Sequence, residues 1–272
     1  GGAALPVNVP GVLPNKILAG IGIAEKGYAD MEIVVNAKGG HSSQPPKHTA
    51  LGIMATVIQD LEKHQFKSSF NDSMNQLLDT AARNLTFPVR LVSCNLPVLK
   101  PLILQIFKQI PPAACMVRTT TGVTMAEGSP APNVLPQRAA INVNFRAVPG
   151  VSTQDLIDHI RKSVRYKNIE INVKESKLAS IFSPTDSRAY KIIEELCSSI
   201  NDNSMVVPFM VMGGTDAYNY EPICENIYRY GPFVVNTGLL LCTHATNERI
   251  PVKTMADGLK FFKNYIRRAS AE

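Results

Sequence analysis

Ala29-Asp30-Met31-Glu32-Ile33-Val34-Val35-Asn36 is the stretch that decides the fold. Met31, Ile33 and Val35 fall on one side of an extended chain, and Glu32, Val34 and Asn36 fall mostly on the other. That period-two alternation predicts a half-buried strand.

A loop follows at Gly39-Gly40-His41-Ser42-Ser43-Gln44-Pro45-Pro46, and then Ala50, Met54, Val57, Ile58 and Leu61 recur at helical spacing. Residues 66–112 predict a mostly helical insertion with two apolar stripes. Met74, Leu77, Leu78 and Ala81 make the first; Leu99, Leu102, Ile103, Ile106 and Phe107 make the second. Prolines 88, 97, 101, 111 and 112 divide it into pieces. Val117 to Met125 predicts a Thr/Val-rich strand, and the Pro/Gly/Asn loop from Gly128 to Pro136 separates it from another. There Ile141, Val143 and Phe145 alternate with Asn142, Asn144 and Arg146. A helix carrying Leu156, Ile157, Ile160 and Val164 leads to a last alternating strand at Ile169, Ile171 and Val173. Strand, helix, insertion, strand, strand, helix, strand is the split βαβ order of a ferredoxin-like sandwich. Its helices share one sheet face, which leaves the Asn142/Asn144/Arg146 face open.

The flanks have a different pattern. Residues 1–16, rich in Gly and Pro, predict loop, and Ile17 to Ile23 a short buried strand. Ser183-Pro184-Thr185-Asp186 predicts a capping-box start to a helix with Tyr190, Ile193, Cys197 and Ile200 on one face. Met205 to Met212 is an unbroken apolar strand, Ile227 to Tyr230 another short one, and the final helix carries Met255, Leu259, Phe262 and Ile266 on one stripe. Buried strands alternating with helices predict a covered α/β layer. The expected organisation is a partial α/β domain at 1–25 and 183–272, interrupted by a ferredoxin-like domain at 26–182 that holds the helical insertion.

The chain has 272 residues, enough for one or two domains with a sizeable core. Its net charge is +6 with basic residues scattered, which favours anionic small molecules over nucleic acid. No apolar stretch approaches the roughly 20 residues that span a bilayer. Five widely spaced cysteines without a C-x-x-C pattern predict reduced thiols in a cytoplasmic setting rather than a disulfide framework. The chain opens Gly1-Gly2-Ala3-Ala4, with no Met and no signal-peptide pattern, and reads as a piece of something longer.

Several stretches can carry chemistry. His41, in its Gly-Gly loop, either offers an N–H donor to a developing oxyanion or merely occupies a Gly-Pro turn. Asn133 in Pro132-Asn133-Val134 either hydrogen-bonds a substrate or forms a turn. Arg146 either holds a carboxylate with two parallel bonds or is solvated surface. Gly213-Gly214-Thr215-Asp216 directly follows a buried strand, where binding sites of α/β sheets gather, and has no Lys-Ser/Thr to make a phosphate loop. In Cys242-Thr243-His244-Ala245-Thr246-Asn247-Glu248, an apolar run from Gly238 leads into His244. That imidazole either ligates a metal, with nearby polar groups to hold its second nitrogen, or caps a strand end.

In this order, Gly-Gly-His-Ser-Ser, Pro-Asn-Val, Asn-Phe-Arg, Gly-Gly-Thr-Asp and His-x-x-Asn-Glu, the chain resembles the di-zinc metallopeptidases related to aminoacylase and glutamate carboxypeptidase. The nearest branch is that of the Gly-Xaa carboxypeptidases and N-acyl-amino-acid hydrolases, on Glu25-Lys26-Gly27, Arg118-Thr119-Thr120-Thr121 and the helical insertion. The resemblance implies a hydrolase whose α/β domain holds two zinc ions, interrupted by a lid that forms a homodimer. By the same resemblance His244 matches the last zinc ligand, and His41 a lid histidine that reaches the partner subunit's site and stabilises the oxyanion. Asn133 matches a substrate contact across the dimer, Arg146 the clamp on the substrate carboxylate, and Gly213, Gly214 and Thr215 the loop lining the substrate site.

One departure matters. The family's His-x-Asp, bridging Asp, Glu-Glu pair and further Asp are absent, so the resemblance implies a start just after that last Asp, with Gly1-Gly2 as remnant. The expectation is the C-terminal part of a zinc-dependent amidohydrolase, inactive on its own, acting next to a free carboxylate on a small peptide or N-acyl amino acid. The alternative is a non-catalytic module for dimerisation or amino-acid binding.

Overall fold

The computed structural model describes residues 4–93, 95–200 and 202–271. The glycines at positions 1 and 2, and Cys94, lie outside the described residues. The chain divides into two compact units, one of residues 26–69 and 118–180, the other of residues 1–25, 70–117 and 181–272.

In the first of these, strands β3 (Tyr28–Asn36), β5 (Thr120–Glu127), β7 (Arg138–Arg146) and β8 (Glu170–Lys177) form an antiparallel sheet in the order β5-β7-β3-β8. Two-residue strands β4 (Gly40–His41) and β6 (Val134–Leu135) pair separately. Helices α1 (Ala50–Lys63) and α6 (Thr153–Ser163) complete the ferredoxin-like sandwich. The alternation in β3 has the expected effect: Met31 stands opposite Val143 and Ile33 opposite Ile141, all buried. They pack with Met54, Val57 and Leu61 of α1 and with Leu156 and Ile160 of α6. Thr49 caps α1 by accepting from the Gly52 N–H, and a Ser152/Asp155 capping box starts α6. Buried Asp60 ties the two helices, accepting from the Arg165 backbone N–H at 2.9 Å and from Arg165 Nε at 2.9 Å.

The second unit differs more from expectation. The expected strand at Ile17 to Ile23 is present within a longer one, but the residues before it are not loop. Residues 4–25 form a hairpin of β1 (Ala4–Val9) and β2 (Leu13–Glu25), turned at Gly11 with φ 72°. Strand β9 (Ser204–Val211) runs parallel to β2. One sheet face buries Ala19, Ile21 and Ile23 against Tyr190, Ile193 and Leu196 of α7 (Arg188–Ile200) and Phe261 of α9 (Val252–Ala269). The other face buries Leu13, Met205 and Val207 under Leu77 and Leu85. Those two leucines explain a second correction. The segment holding α2 (Asp72–Asn84), α3 (Phe87–Ser93), α4 (Leu96–Gln109) and α5 (Pro111–Val117) belongs to this unit, not to the ferredoxin-like one. Thr86 fixes it to the hairpin, its N–H donating to Val12 O at 2.9 Å and its Oγ1 to Gly11 O at 2.6 Å.

Three local expectations also shift. α7 is capped by Ser187, whose Oγ accepts from the Tyr190 N–H at 3.1 Å. Ser183 instead binds Ile23 O and Ile227 O through its N–H and Oγ. Ile227 to Tyr230 is not a strand; it meets β2 at one bridge, Gly22 to Arg229. Gly22 permits that approach, because a Cβ there would stand 2.5 Å from Val211 Cγ2 and 3.1 Å from Arg229 Cβ. Finally, Gly238 to Cys242 is not a buried run. It overlaps the single turn α8 (Thr237–Leu240), and Leu241 is 77% exposed.

Candidate active-site residues

In the α/β unit, β2 and β9 are parallel and end together, Glu25 opposite Val211. The loop Gly213-Gly214-Thr215-Asp216 begins at that carboxyl edge. Neither Gly213 nor Gly214 has a positive φ, and a Cβ on either would meet nothing within 4 Å. Packing does not demand glycine here; bare backbone facing open space suits close approach by a ligand. The Thr215 hydroxyl donates to Glu25 Oε1 and accepts from the Ala217 N–H, which fixes where the loop turns.

Glu25 is itself buried and paired. Arg229 Nε lies 2.7 Å from Glu25 Oε1, with side-chain exposures of 3% and 5%. The N–H is not directed along that line, so the contact is Coulombic more than directional. Arg229 Nη1 donates to Ile227 O at 3.1 Å, and Nη2 lies 3.7 Å from Glu221 Oε1. A buried carboxylate, a buried guanidinium and a hydroxyl thus hold the loop at the strand ends. Neither charge was singled out from sequence as a site residue. The available signal was a charge inside each apolar run: Glu25 closing Ile17–Ala24, and Arg229 within Ile227–Tyr230.

His244 lies in the exposed loop before α9, with φ 61°. Its backbone N–H donates to Glu248 Oε2 at 3.1 Å. Glu248 therefore braces the backbone, where a hold on the second ring nitrogen was expected. Among the described residues the ring nitrogens of His244 meet no hydrogen-bond partner, and no three His, Cys, Asp or Glu side chains are placed to hold one metal ion.

In the ferredoxin-like unit the structure brings His41 and Asn133 together. β4 pairs with β6 at His41 to Val134, and the Ser42 N–H donates to Asn133 O at 3.0 Å. Gly39 is required for this corner, because a Cβ there would lie 2.5 Å from Gln137 Cγ. The Ser43 N–H points at His41 Nδ1 at 3.2 Å, and Ser43 Oγ is 2.8 Å away. A backbone N–H can only donate, so Nδ1 is the acceptor and the neutral ring carries its proton on exposed Nε2.

Arg146 ends β7, its guanidinium 4.6 Å from the centre of the Tyr28 ring, a cation–π contact. Below it on the open sheet face, Asp30 accepts from Tyr28 OH, from Asn144 Nδ2 at 2.9 Å and from Asn142 Nδ2 at 3.0 Å. Burial alone would raise the Asp30 carboxyl. The bonds from Asn144, Tyr28 and Asn142, with the Arg146 charge, hold it below the ordinary carboxylate range. Arg146 is thus oriented by an anchored tyrosine and carboxylate, and is not a freely solvated side chain.

The register separates these two places. Ala29 pairs with Phe145 and Asn36 with Arg138, so Arg146 stands where β3 begins and His41 lies beyond where β3 ends. Nine residues of strand span roughly 26 Å. One small substrate cannot touch Arg146 and His41 of the same copy.

The family model described as the peptidase dimerisation domain matches residues 23–172. A probable carboxypeptidase S-like 2 of Dictyostelium discoideum is 30% identical over 270 residues, covering 97% of this chain and 51% of the relative. The N-fatty-acyl-amino acid synthase/hydrolase PM20D1 of Mus musculus is 29% identical over 265 residues, covering 95% of this chain and 53% of the relative. The chain therefore spans about half the length of the curated relatives it matches. Among solved structures, the di-peptidase Dug1p of Saccharomyces cerevisiae superposes on 98% of this chain and 58% of its own, with a TM-score of 0.61 at 11% identity. The metallo-carboxypeptidase Sso-CP2 of Sulfolobus solfataricus superposes on 91% of this chain and 59% of its own, with a TM-score of 0.55 at 15% identity. These two likenesses speak to fold alone.

Proposed function

Because the chain belongs to the peptidase dimerisation-domain family, we propose that it forms the lid and C-terminal catalytic segment of a zinc-dependent amidohydrolase. The complete protein would cleave a peptide or N-acyl amide bond next to a free carboxylate. The observation that carries this reading is the separation of Arg146 from His41 by the length of β3. Arg146, braced by Tyr28 and Asp30, grips the substrate carboxylate in two parallel bonds. His41 directs its Nε2–H at the oxyanion of a substrate held by a second copy, with Asn133 beside it. A homodimer through this unit makes both contacts available to one substrate. Gly213 and Gly214 offer bare backbone to the substrate, and Thr215 sets their position through Glu25.

The metal needs more than this chain describes. A catalytic zinc takes about three protein ligands, and the described residues do not supply them. His244 is one donor to a centre whose other donors belong to the complete protein. The purified chain, supplied with zinc, is accordingly expected to release no amino acid from N-acyl amino acids in a ninhydrin-type assay. Turnover by the pure chain above the rate of zinc in buffer would refute the reading.

A further inference from the structure

Gly122 sits inside β5 with no local reason to be glycine. Its φ is not positive, and a Cβ there would meet only Asn144 O, at 4.0 Å, an ordinary contact. Gly22 in β2 differs, because crowding denies it a side chain. A glycine in the middle of a strand weakens it and often marks the close approach of a ligand. The neighbours of Gly122 show what has room to approach.

Gly122 pairs with Asn144 and Thr120 with Arg146, so all four positions share the open sheet face. Both β7 side chains lean away from β5. The Arg146 guanidinium lies over the Tyr28 ring of β3 at 4.6 Å, and Asn144 Nδ2 donates to Asp30 of β3 at 2.9 Å. Asn142 spans the sheet below them, its Nδ2 donating to Asp30 Oδ1 at 3.0 Å and to Thr124 Oγ1 of β5 at 2.9 Å. The result is a notch with the Gly122 backbone as its floor and Asn144 as its wall. The Asn142–Thr124 bond closes one end, and the other opens beside Thr120 and Arg146. Its walls are neutral amides and hydroxyls, since the Asp30 charge behind them is taken up by Tyr28, Asn142 and Asn144.

We propose that the Gly122 notch receives the side chain of the amino acid whose carboxylate Arg146 grips, and so sets a preference for neutral side chains of about the size of leucine. The inference rests on the clamp role of Arg146. In such a substrate the α-carbon is one bond from the carboxylate, so its side chain lies close beside the guanidinium. On the β3 side Tyr28 and Asp30 fill that space. On the β5 side Gly122 leaves it empty.

The test compares N-decanoyl-leucine with N-decanoyl-glycine as substrates of the complete, zinc-loaded protein, before and after Gly122→Ala and Gly122→Val. Valine fills the notch. It should lower kcat/KM for the leucine substrate about tenfold or more relative to the glycine substrate, the size of effect that a methylene or two decides in a pocket. Alanine should move the ratio the same way by less. Exchanging the carboxylate of the glycine substrate for a carboxamide should cost the valine variant as much as it costs the unmodified protein, because Arg146 is untouched. Valine suits a strand better than glycine, so the melting temperature should not fall; if it does, the alanine ratio decides. A leucine-to-glycine ratio unmoved in both variants, with the carboxylate still required, overturns the notch and leaves the clamp standing. No hydrolysis of either substrate by the unmodified protein, or no need for the carboxylate, overturns both. Equal losses on the two substrates together with weaker self-association in sedimentation also overturn the notch, and assign the bare strand to contact with a second copy.

Discussion

Replacing Arg229 with methionine is expected to destabilise the unit of residues 1–25, 70–117 and 181–272 by about 3–5 kcal/mol. The magnitude follows from burial. Arg229 and Glu25 expose 3% and 5% of their side chains and lie 2.7 Å apart. Removing the guanidinium takes the buried cation away from a carboxylate that stays out of water beside the Thr215 hydroxyl. Methionine keeps much of the volume, so the loss reports the stranded charge more than a cavity. Adding Glu25→Gln to Arg229→Met removes the stranded charge while keeping an acceptor for Thr215, and should recover a large part of the loss. Urea unfolding of the single and double variants measures both. A single-variant loss below about 1 kcal/mol would mean that the pair behaves as a solvated one.

In the complete protein, Arg146→Ala is expected to lower kcat/KM for a substrate with a free carboxylate by about 100-fold or more. Two charge-assisted hydrogen bonds at about 1.5–3 kcal/mol each support that size. Replacing the substrate carboxylate by a carboxamide should cost the unmodified enzyme a similar factor. The variant should be nearly indifferent to that change, because the partner is already gone. Additive losses would show that Arg146 acts elsewhere, for example in bracing Tyr28 and Asp30.

The ferredoxin-like unit was legible because its pattern is local. Alternation at Met31, Ile33 and Val35, and again at Ile141, Val143 and Phe145, fixes which face is buried, and a slip of one residue would expose every one of them. The strand at Ile17 to Ile23 was legible, but the hairpin that precedes and extends it was not, because Pro6, Pro10, Gly11 and Pro14 punctuate a hairpin as they would punctuate a loop. Where the helical segment belongs is a tertiary matter, settled by Leu77 and Leu85 on Met205 and Val207, contacts that no spacing announces. Hydropathy misread Gly238 to Cys242, since an apolar run says nothing of which surface meets it, and here Leu241 stands exposed. Of the site residues, the pairing of His41 with Asn133 is geometric and emerges only with the β4/β6 bridge.

The measurement that bears most directly on the account is the zinc content and hydrolytic rate of the complete protein before and after His244→Ala. The account predicts loss of bound zinc and a fall of more than about 100-fold in the rate of N-acyl amino acid hydrolysis, since the change removes a metal donor outright. Zinc content and turnover both unchanged in the variant would contradict it.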